Sequence, residues 1–308
     1  MPLALSTSWN YSNHNNGAQL LNEIKNLGFE DVELNFGLTA SIVDEIISIA
    51  QRGEIKVLSV HNYCPIPQGL TQQEALPDCY AMSSLSEEER RAAVKFTKET
   101  IDTACRLNAK AVVLHCGRVE IPDRTKDLIT CYNSGMKNNS SRYNELKEVM
   151  VRERAQNIKP YFENTLKSLE ELNRYAESKN IYLGVENRYY YCEIPSLEEI
   201  GLILDTFKGS RLCYWHDSGH AQLMENLGFT KHKDYLESYG KSLFGIHLHD
   251  IIGARDHQAP KKGTLDFRMF TPFITKDTLK VMEVHRQAGA EDLTQGKLYL
   301  ESLLNGKV

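Results

Sequence analysis

Short apolar runs alternate with helical segments about eight times along this chain, and most of the runs end in His, Glu or Asp. The runs cover residues 3–8, 31–34, 56–61, 110–115, 181–186, 211–217, 243–249 and 279–284. Between them, apolar residues recur at helical spacing, as in Leu20, Leu21, Ile24 and Leu27. Ser86, followed by Glu87, Glu88 and Glu89, reads as an N-cap with an acidic first turn, opening a helix to about Leu107. Further helices are expected over 41–50, 144–156, 161–178 and 293–304, from Pro195-Ser196 onward, and near 266–273. The polar stretch after residue 115, to about Arg142, reads as an elaborated loop.

No linker-like break interrupts the alternation over the 308 residues. The chain is therefore expected to be α/β: a single (β/α)8 TIM barrel spanning residues 1–308, with its active site at the C-terminal ends of the strands. An open doubly wound sheet is the alternative. The chain carries neither a Gly-x-Gly-x-x-Gly nor a Walker loop, so no nucleotide cofactor is expected.

The chain has 36 basic against 41 acidic residues, a net charge of -5, and no global basic field to favour nucleic acid. The start, MPLALSTSWN, lacks the basic and long apolar regions of a signal peptide, and no run of about 18 apolar residues suggests a membrane span. Seven cysteines without a Cys-x-x-Cys suit reduced thiols and a cytoplasmic location. A homo-oligomer is compatible with the sequence.

Strict alternation sorts the strand faces. It places Val57, Ser59 and His61 on one face and Leu58 and Val60 on the other. It likewise groups Ala111, Val113 and His115; Gly184 and Glu186; Leu243, Gly245, His247 and His249; and Val281 and Glu283. The run to Asp217 fits less well, because Asp217 would share its face with Arg211, Cys213 and Trp215. The strand tips then present His61, His115, Glu186, Asp217, His247 and Glu283, with His220 and His257 on the following loops. Clustered imidazoles and carboxylates suit a divalent cation such as Zn²⁺, Mn²⁺, Co²⁺ or Mg²⁺. Without one, buried carboxylates would repel each other and their pKa values would rise.

These residues carry a resemblance. VHNYCP (60–65), LHCG (114–117), GVEN (184–187), HDSGH (216–220), HLHD (247–250), DH (256–257) and MEV (282–284) follow the order and spacing of the xylose isomerase-like TIM barrels. That superfamily holds sugar isomerases and epimerases and also the endonuclease IV type of abasic-site endonucleases. The resemblance implies one divalent metal on Glu186, Asp217, His247 and Glu283, with Glu186 and Glu283 also moving protons on the bound sugar. It implies a substrate contact for His220. In the endonuclease-like pattern, His61 and His115 would serve a second metal, and His220, Asp256 and His257 a third. The chain departs from that pattern. Asp217-Ser218-Gly219-His220 stands for Asp-Thr-Cys-His, His247-Leu248-His249-Asp250-Ile251-Ile252 for His-x-Asn-Asp-Ser-Lys, and Lys261-Lys262-Gly263 for Gly-Glu-Gly.

The expected activity is a divalent-metal-dependent isomerase or epimerase acting on a sugar, sugar phosphate or polyol derivative, by proton transfer through an enediolate. A dehydratase on the same scaffold is a close variant. A phosphodiesterase on abasic DNA, and a barrel that binds without catalysis, are the other classes. Trp9 and Tyr63 are candidates for stacking on a sugar, and Arg255, Lys261 and Lys262 for a phosphate. Glu33, Asn35 and the run Tyr189–Tyr191 are candidates for the pocket wall, whereas His14, His232 and His285 follow no pattern. Hydrogen bonding to a ligand fits His61 and His115 as well as a second metal does.

Overall fold

Each apolar run becomes a strand. β1 (Leu3–Ser6), β2 (Asp31–Leu34), β3 (Lys56–His61), β4 (Ala111–Leu114), β5 (Tyr182–Glu186), β6 (Leu212–Asp217) and β7 (Leu243–Leu248) lie side by side. A hairpin of β8 (Asp250–Ile252) and β9 (Arg255–Gln258) follows, and β10 (Leu279–Met282) closes the ring between β7 and β1. In this computed structural model, which describes residues 2–136, 140–304 and 306, every neighbouring pair in the ring is parallel. The expected (β/α)8 barrel is the fold observed.

The helices are α1 (Gly17–Asn26), α2 (Ala40–Gln51), α3 (Glu87–Arg106), α4 (Thr125–Asn133), α5 (Ser141–Lys179), α6 (Leu197–Thr206), α7 (Ser218–Asn226), α8 (His232–Tyr239) and α9 (Ala290–Leu304). Side chains of Asn16, Thr39, Ser86 and Ser196 accept from the third helical N–H and fix where α1, α2, α3 and α6 begin. Leu, Ile and Val of these helices pack on the outward strand residues Val60, Val112, Leu114, Val185, Ile246 and Met282 as one large core.

Three expectations are corrected here. The polar stretch to Arg142 is not all loop, because α4 buries Leu128 and Cys131 against residues of α5 and α7. The two helices expected over 144–156 and 161–178 are one, and α5 runs through Pro160. Proline costs one backbone hydrogen bond there, but both halves are anchored. Arg154 grips Glu199 ahead of it, and Thr165 donates to the Cys116 carbonyl behind it. The helix expected near 266–273 is a single 3-10 turn, Phe267–Phe270, and the β8–β9 hairpin takes the place of a full crossover helix.

Strict alternation also fails in two strands. Val32 pairs with Val57 and Glu33 with Ser59, so Leu58 is an extra residue. Leu58 joins the interior cluster with Ala4, Ala111, Val113, Trp215, Leu279 and Val281, and Val57 joins the outer core. Likewise Tyr214 pairs with Leu243 and Trp215 with Gly245, so Phe244 is extra and packs against the interior cluster.

Trp215 explains why the run to Asp217 looked irregular. Its indole is fully buried and fills the barrel, in room that Gly184 of β5 and Gly245 of β7 leave open. A Cβ on Gly184 would lie 2.8 Å from the indole, and one on Gly245 2.1 Å from it. Trp215 is thus the floor beneath the strand tips. Gly245→Ala is expected to cost about 1–3 kcal/mol through overpacking, read as a lower urea midpoint. Unchanged stability would contradict this packing.

His232 is structural. His232 Nε2 lies 3.0 Å from His216 Nε2, and His232 Nδ1 lies 3.0 Å from Gln222 Oε1, in a buried chain that starts at the Tyr214 hydroxyl. Burial pushes the His232 imidazole down to about 3. The folded chain therefore keeps it neutral while the unfolded chain protonates below about pH 6.5. Its contribution is present above pH 6.5 and is lost as pH falls toward 3, by about 1.4 kcal/mol per pH unit. His232→Gln is expected to flatten the dependence of unfolding free energy on pH between 6 and 4 by that amount. Parallel profiles would contradict the assignment.

Candidate metal centre

The C-terminal ends of five strands converge on one imidazole. His247 Nδ1, at the end of β7, lies 2.7 Å from Glu186 Oε1 (β5), 3.0 Å from Glu283 Oε2 (just after β10) and 3.7 Å from Asp217 Oδ2 (β6). Its Nε2 lies 3.0 Å from Glu33 Oε1 (β2), and Ser59 on β3 donates to Glu33 at 2.7 Å. All five acidic and imidazole side chains are buried. One ligand atom from each of Glu186, Asp217, His247 and Glu283 falls within 4.8 Å of the others.

A carboxylate only accepts, and carboxylates face both ring nitrogens of His247, so without a cation the ring donates from both as an imidazolium. With a cation at Nδ1 the neutral ring would keep Nε2–H on Glu33 and turn its lone pair to the ion, among the three carboxylates. Only a further proton or a cation between them makes the arrangement favourable. A donated Nε2–H behind a ligating nitrogen is also the usual support of metal-bound imidazole. The donor set therefore fits a divalent ion.

The rise expected for the buried carboxylates in the absence of an ion does not occur. Burial raises the carboxyls of Glu186, Asp217 and Glu283, but the imidazoles and Arg188 around them outweigh it and hold all three well below the usual carboxylate range. Burial lowers the His247 imidazole, but Glu283, Glu33, Asp217 and Glu186 together hold it well above its usual value.

The segment after β6 shows how the local sequence builds the site. Asp217 caps α7 by accepting from the His220 N–H at 2.8 Å. Ser218 Oγ donates to the His249 carbonyl and accepts its N–H. A Cβ on Gly219 would strike the His249 ring at 2.2 Å. The first helical turn then returns His220 to the rim, with Nε2 3.6 Å from Asp256 Oδ2. His249 Nε2 lies 2.9 Å from both Asp217 oxygens, and its Nδ1 accepts the His257 N–H, so His249 orients Asp217.

Among the described residues four further groups adjoin the centre: His61, His115 and Glu186; His220, Asp256 and His257; Asp217, His249, His257 and Glu283; and Asp78, His115 and Glu193. The His257 ring stacks between His249 and His285, with centroids 4.2 and 3.7 Å away. A pocket of about 290 Å³ opens above the cluster, lined by Phe36, His61, His115, Glu186, Arg188, Tyr189, Tyr190, His220, Asp256, His257, Glu283 and His285, with Pro77 at its edge. A larger cleft, lined by Gly28, Asp31, Gly53 and Lys56, sits at the opposite end of the barrel, away from this cluster.

Not every expected residue reaches the pocket. Trp9 is buried in the outer core, where its indole N–H donates to the Ala288 carbonyl. Tyr63 is buried and donates to the Tyr80 carbonyl. Arg255 is exposed on β9, Lys262 pairs with Asp292 at 2.6 Å, and Lys261 lies over the Tyr299 ring. Arg188, and Asp78 and Glu193 beside His115, carry no signal that the sequence analysis used, and His285, which follows no pattern there, lines the pocket. The run ENRYYY hinted at Arg188 only through its closeness to Glu186.

The profile of the xylose isomerase-like TIM barrel family matches residues 21–303. The protein y4fM of Sinorhizobium fredii (strain NBRC 101917 / NGR234) is 25% identical over 187 residues, which are 60% of this chain and 50% of y4fM. The match thus spans about half of that relative's length. Among solved structures, a D-tagatose 3-epimerase-like protein superposes with a TM-score of 0.69 at 16% identity, covering 100% of this chain and 98% of that one. The 3-keto-D-glucoside 4-epimerase of E. coli gives 0.68 at 15% identity, covering 98% and 99%. The barrel, the order of its strand-tip residues and the extent of the family match lead to one conclusion: the chain belongs to the xylose isomerase-like TIM barrel family.

Proposed function

We propose that this protein is a divalent-metal-dependent isomerase or epimerase of an unphosphorylated sugar or sugar derivative. The observation that carries this reading is His247 Nδ1 facing Glu186, Asp217 and Glu283 while Nε2 is committed to Glu33. That is a donor set for one hard or borderline cation at the floor of a sugar-sized pocket. Two structures of like fold carry the word epimerase in their names.

A cation bound by these four side chains supplies Lewis acidity toward the oxygens of a hydroxy-ketone, favouring an enediolate. Removing and returning the proton on the adjacent carbon falls to the glutamates. Glu283 Oε2 lies 3.0 Å from His247 Nδ1 and 3.6 Å from His257 Nε2. Glu186 Oε2 accepts from Arg188 at 2.5 Å and lies 3.3 Å from His115 Nε2, which stabilises its anion and weakens it as a base. Glu283 faces the imidazoles of His247 and His257 and, among the described residues, no guanidinium, and is the glutamate assigned to proton transfer; Glu186, held by Arg188, His115 and His247, is assigned to the ion. Phe36, Tyr189 and Tyr190 offer apolar ring faces to a sugar. Among the described residues Arg188 is the one arginine lining the pocket, and it already meets Glu186 and Glu193, which favours a neutral substrate over a phosphate.

The adjoining groups His61–His115–Glu186 and His220–Asp256–His257 favour a second reading, a multi-metal phosphodiesterase. The net charge of -5 weighs against a DNA substrate.

In D₂O, unphosphorylated ketoses and keto-glycosides are expected to exchange the C–H next to the carbonyl for deuterium, seen by NMR. Exchange should stop when EDTA removes the ion and return with Mn²⁺, Co²⁺ or Zn²⁺. Metal-independent exchange would contradict the role of the ion, and cleavage of abasic DNA without any exchange would favour the second reading.

Glu283→Gln is expected to lower the exchange rate by about 10²-fold or more, the usual scale for losing a general base, with the melting temperature kept within a few degrees. Glu186→Gln should lower both exchange and metal content. Full exchange in Glu283→Gln would remove Glu283 from proton transfer.

A further inference from the structure

Arg188 follows β5 by two residues and is buried, 6% exposed. Its Nη1 donates to Glu186 Oε2 at 2.5 Å. Its Nη2 lies 2.7 Å from His115 Nδ1 and 3.1 Å from Glu193 Oε1. The loop holding it is pinned, because Glu193 Oε2 accepts the Tyr190 N–H at 2.7 Å and Arg154 donates to the Glu193 carbonyl at 2.9 Å.

The guanidinium sits against the trio His61–His115–Glu186, whose ligand atoms lie close enough together to hold an ion. His61 is prepared for one, since its Nδ1 donates to the Asn62 carbonyl at 3.1 Å and leaves the Nε2 lone pair free. The other two members are not. Arginine only donates, so His115 Nδ1 must accept from it and the ring proton moves to Nε2, which points at Glu186 Oε2 at 3.3 Å. The Asp78 carboxylate, 3.3 Å from the same Nδ1, is the more distant partner and does not reverse this tautomer. Glu186 Oε2 in turn accepts from Nη1 and faces the His115 Nε2–H, so both of its lone pairs are engaged. Two of the three lone pairs an ion would need are occupied.

We propose that Arg188 is a built-in cation standing where a second metal ion would bind, so that the centre holds one ion fewer than its histidines and carboxylates allow. This rests on the one-ion reading of Glu186, Asp217, His247 and Glu283. A fixed monocation there neutralises Glu186 Oε2 and keeps His61 and His115 as hydrogen-bonding groups toward a substrate. It cannot activate water as a second divalent ion would.

The test is zinc content per chain after equilibrium dialysis against Zn²⁺, for wild type, Arg188→Met, Arg188→Met with Glu193→Gln, and the latter with His61→Asn. The Glu193→Gln change removes the carboxylate that loses its partner, so the paired variant carries the test if Arg188→Met alone fails to fold. The expected result is one more zinc per chain than wild type when Arg188 is gone, lost again with His61→Asn. Cobalt substitution should add a second set of visible d–d bands in the same variants. An unchanged zinc count in the folded paired variant would overturn the proposal, as would a wild-type count that drops by one on His61→Asn alone. A wild type that binds no zinc would overturn the one-ion reading and this proposal with it. A gained ion, by contrast, bears on Arg188 whatever sugar the enzyme takes.

Discussion

Three carboxylates aimed at one imidazole nitrogen are the constraint around which the strand tips are arranged. Two unit charges 4.8 Å apart repel by about 3–4 kcal/mol at an effective dielectric near 20, and Glu186, Asp217 and Glu283 are all buried. Surrounding groups hold the arrangement in place. Glu33, steadied by Ser59, commits Nε2 of His247. His249 orients Asp217, whose other duty is to cap α7. Trp215 fills the barrel beneath, in room left by Gly184 and Gly245. A divalent ion turns the mutual repulsion of these carboxylates into ligation, which is why metal binding and the local fold are coupled at such a site.

Much of this was legible in the residues. An apolar run that ends in His, Glu or Asp announces a strand whose tip is polar, and eight apolar runs, five of them ending so, separated by helical spacing leave few folds besides a barrel. The strand tips offer Glu186, Asp217, His247 and Glu283 among six residues, the family resemblance singles out these four, and they do converge. What was not legible has physical causes. Alternation assumes an unbroken register, so the bulges at Leu58 and Phe244 invert the faces of the residues before them without any mark in the sequence. Pro160 reads as a helix break, yet tertiary anchors on both sides carry α5 through it. Arg188 meets His115, Glu186 and Glu193, groups that come together only once the barrel closes and the loop after β5 folds back. Trp9 was expected to stack on a sugar, but its indole N–H finds a carbonyl within the core and the ring stays there.

The pocket above the centre mixes the rings of Phe36, Tyr189 and Tyr190 with the imidazoles of His220, His257 and His285 and with Asp256, and Tyr189 lies edge-on to His220 at 5.8 Å. Aromatic faces and hydrogen-bonding groups at close quarters suit a polyhydroxylated ring better than a phosphate, which would meet the carboxylates first. Arg188 adds the second distinction. By holding one oxygen of Glu186 it makes the two glutamates of the centre chemically unequal, so that one carboxylate is better suited to bind the ion and the other to move a proton.

The central claim is that an ion occupies the space between His247 Nδ1 and the three carboxylates. Crystals grown with Mn²⁺ or Zn²⁺ and measured at the absorption edge of the ion test it most directly. The expected result is an anomalous peak about 2.0–2.3 Å from one oxygen each of Glu186, Asp217 and Glu283 and from His247 Nδ1, with His247 Nε2 still on Glu33. An anomalous map without a peak there at saturating ion, with Nδ1 still hydrogen-bonded to Glu186, would contradict it.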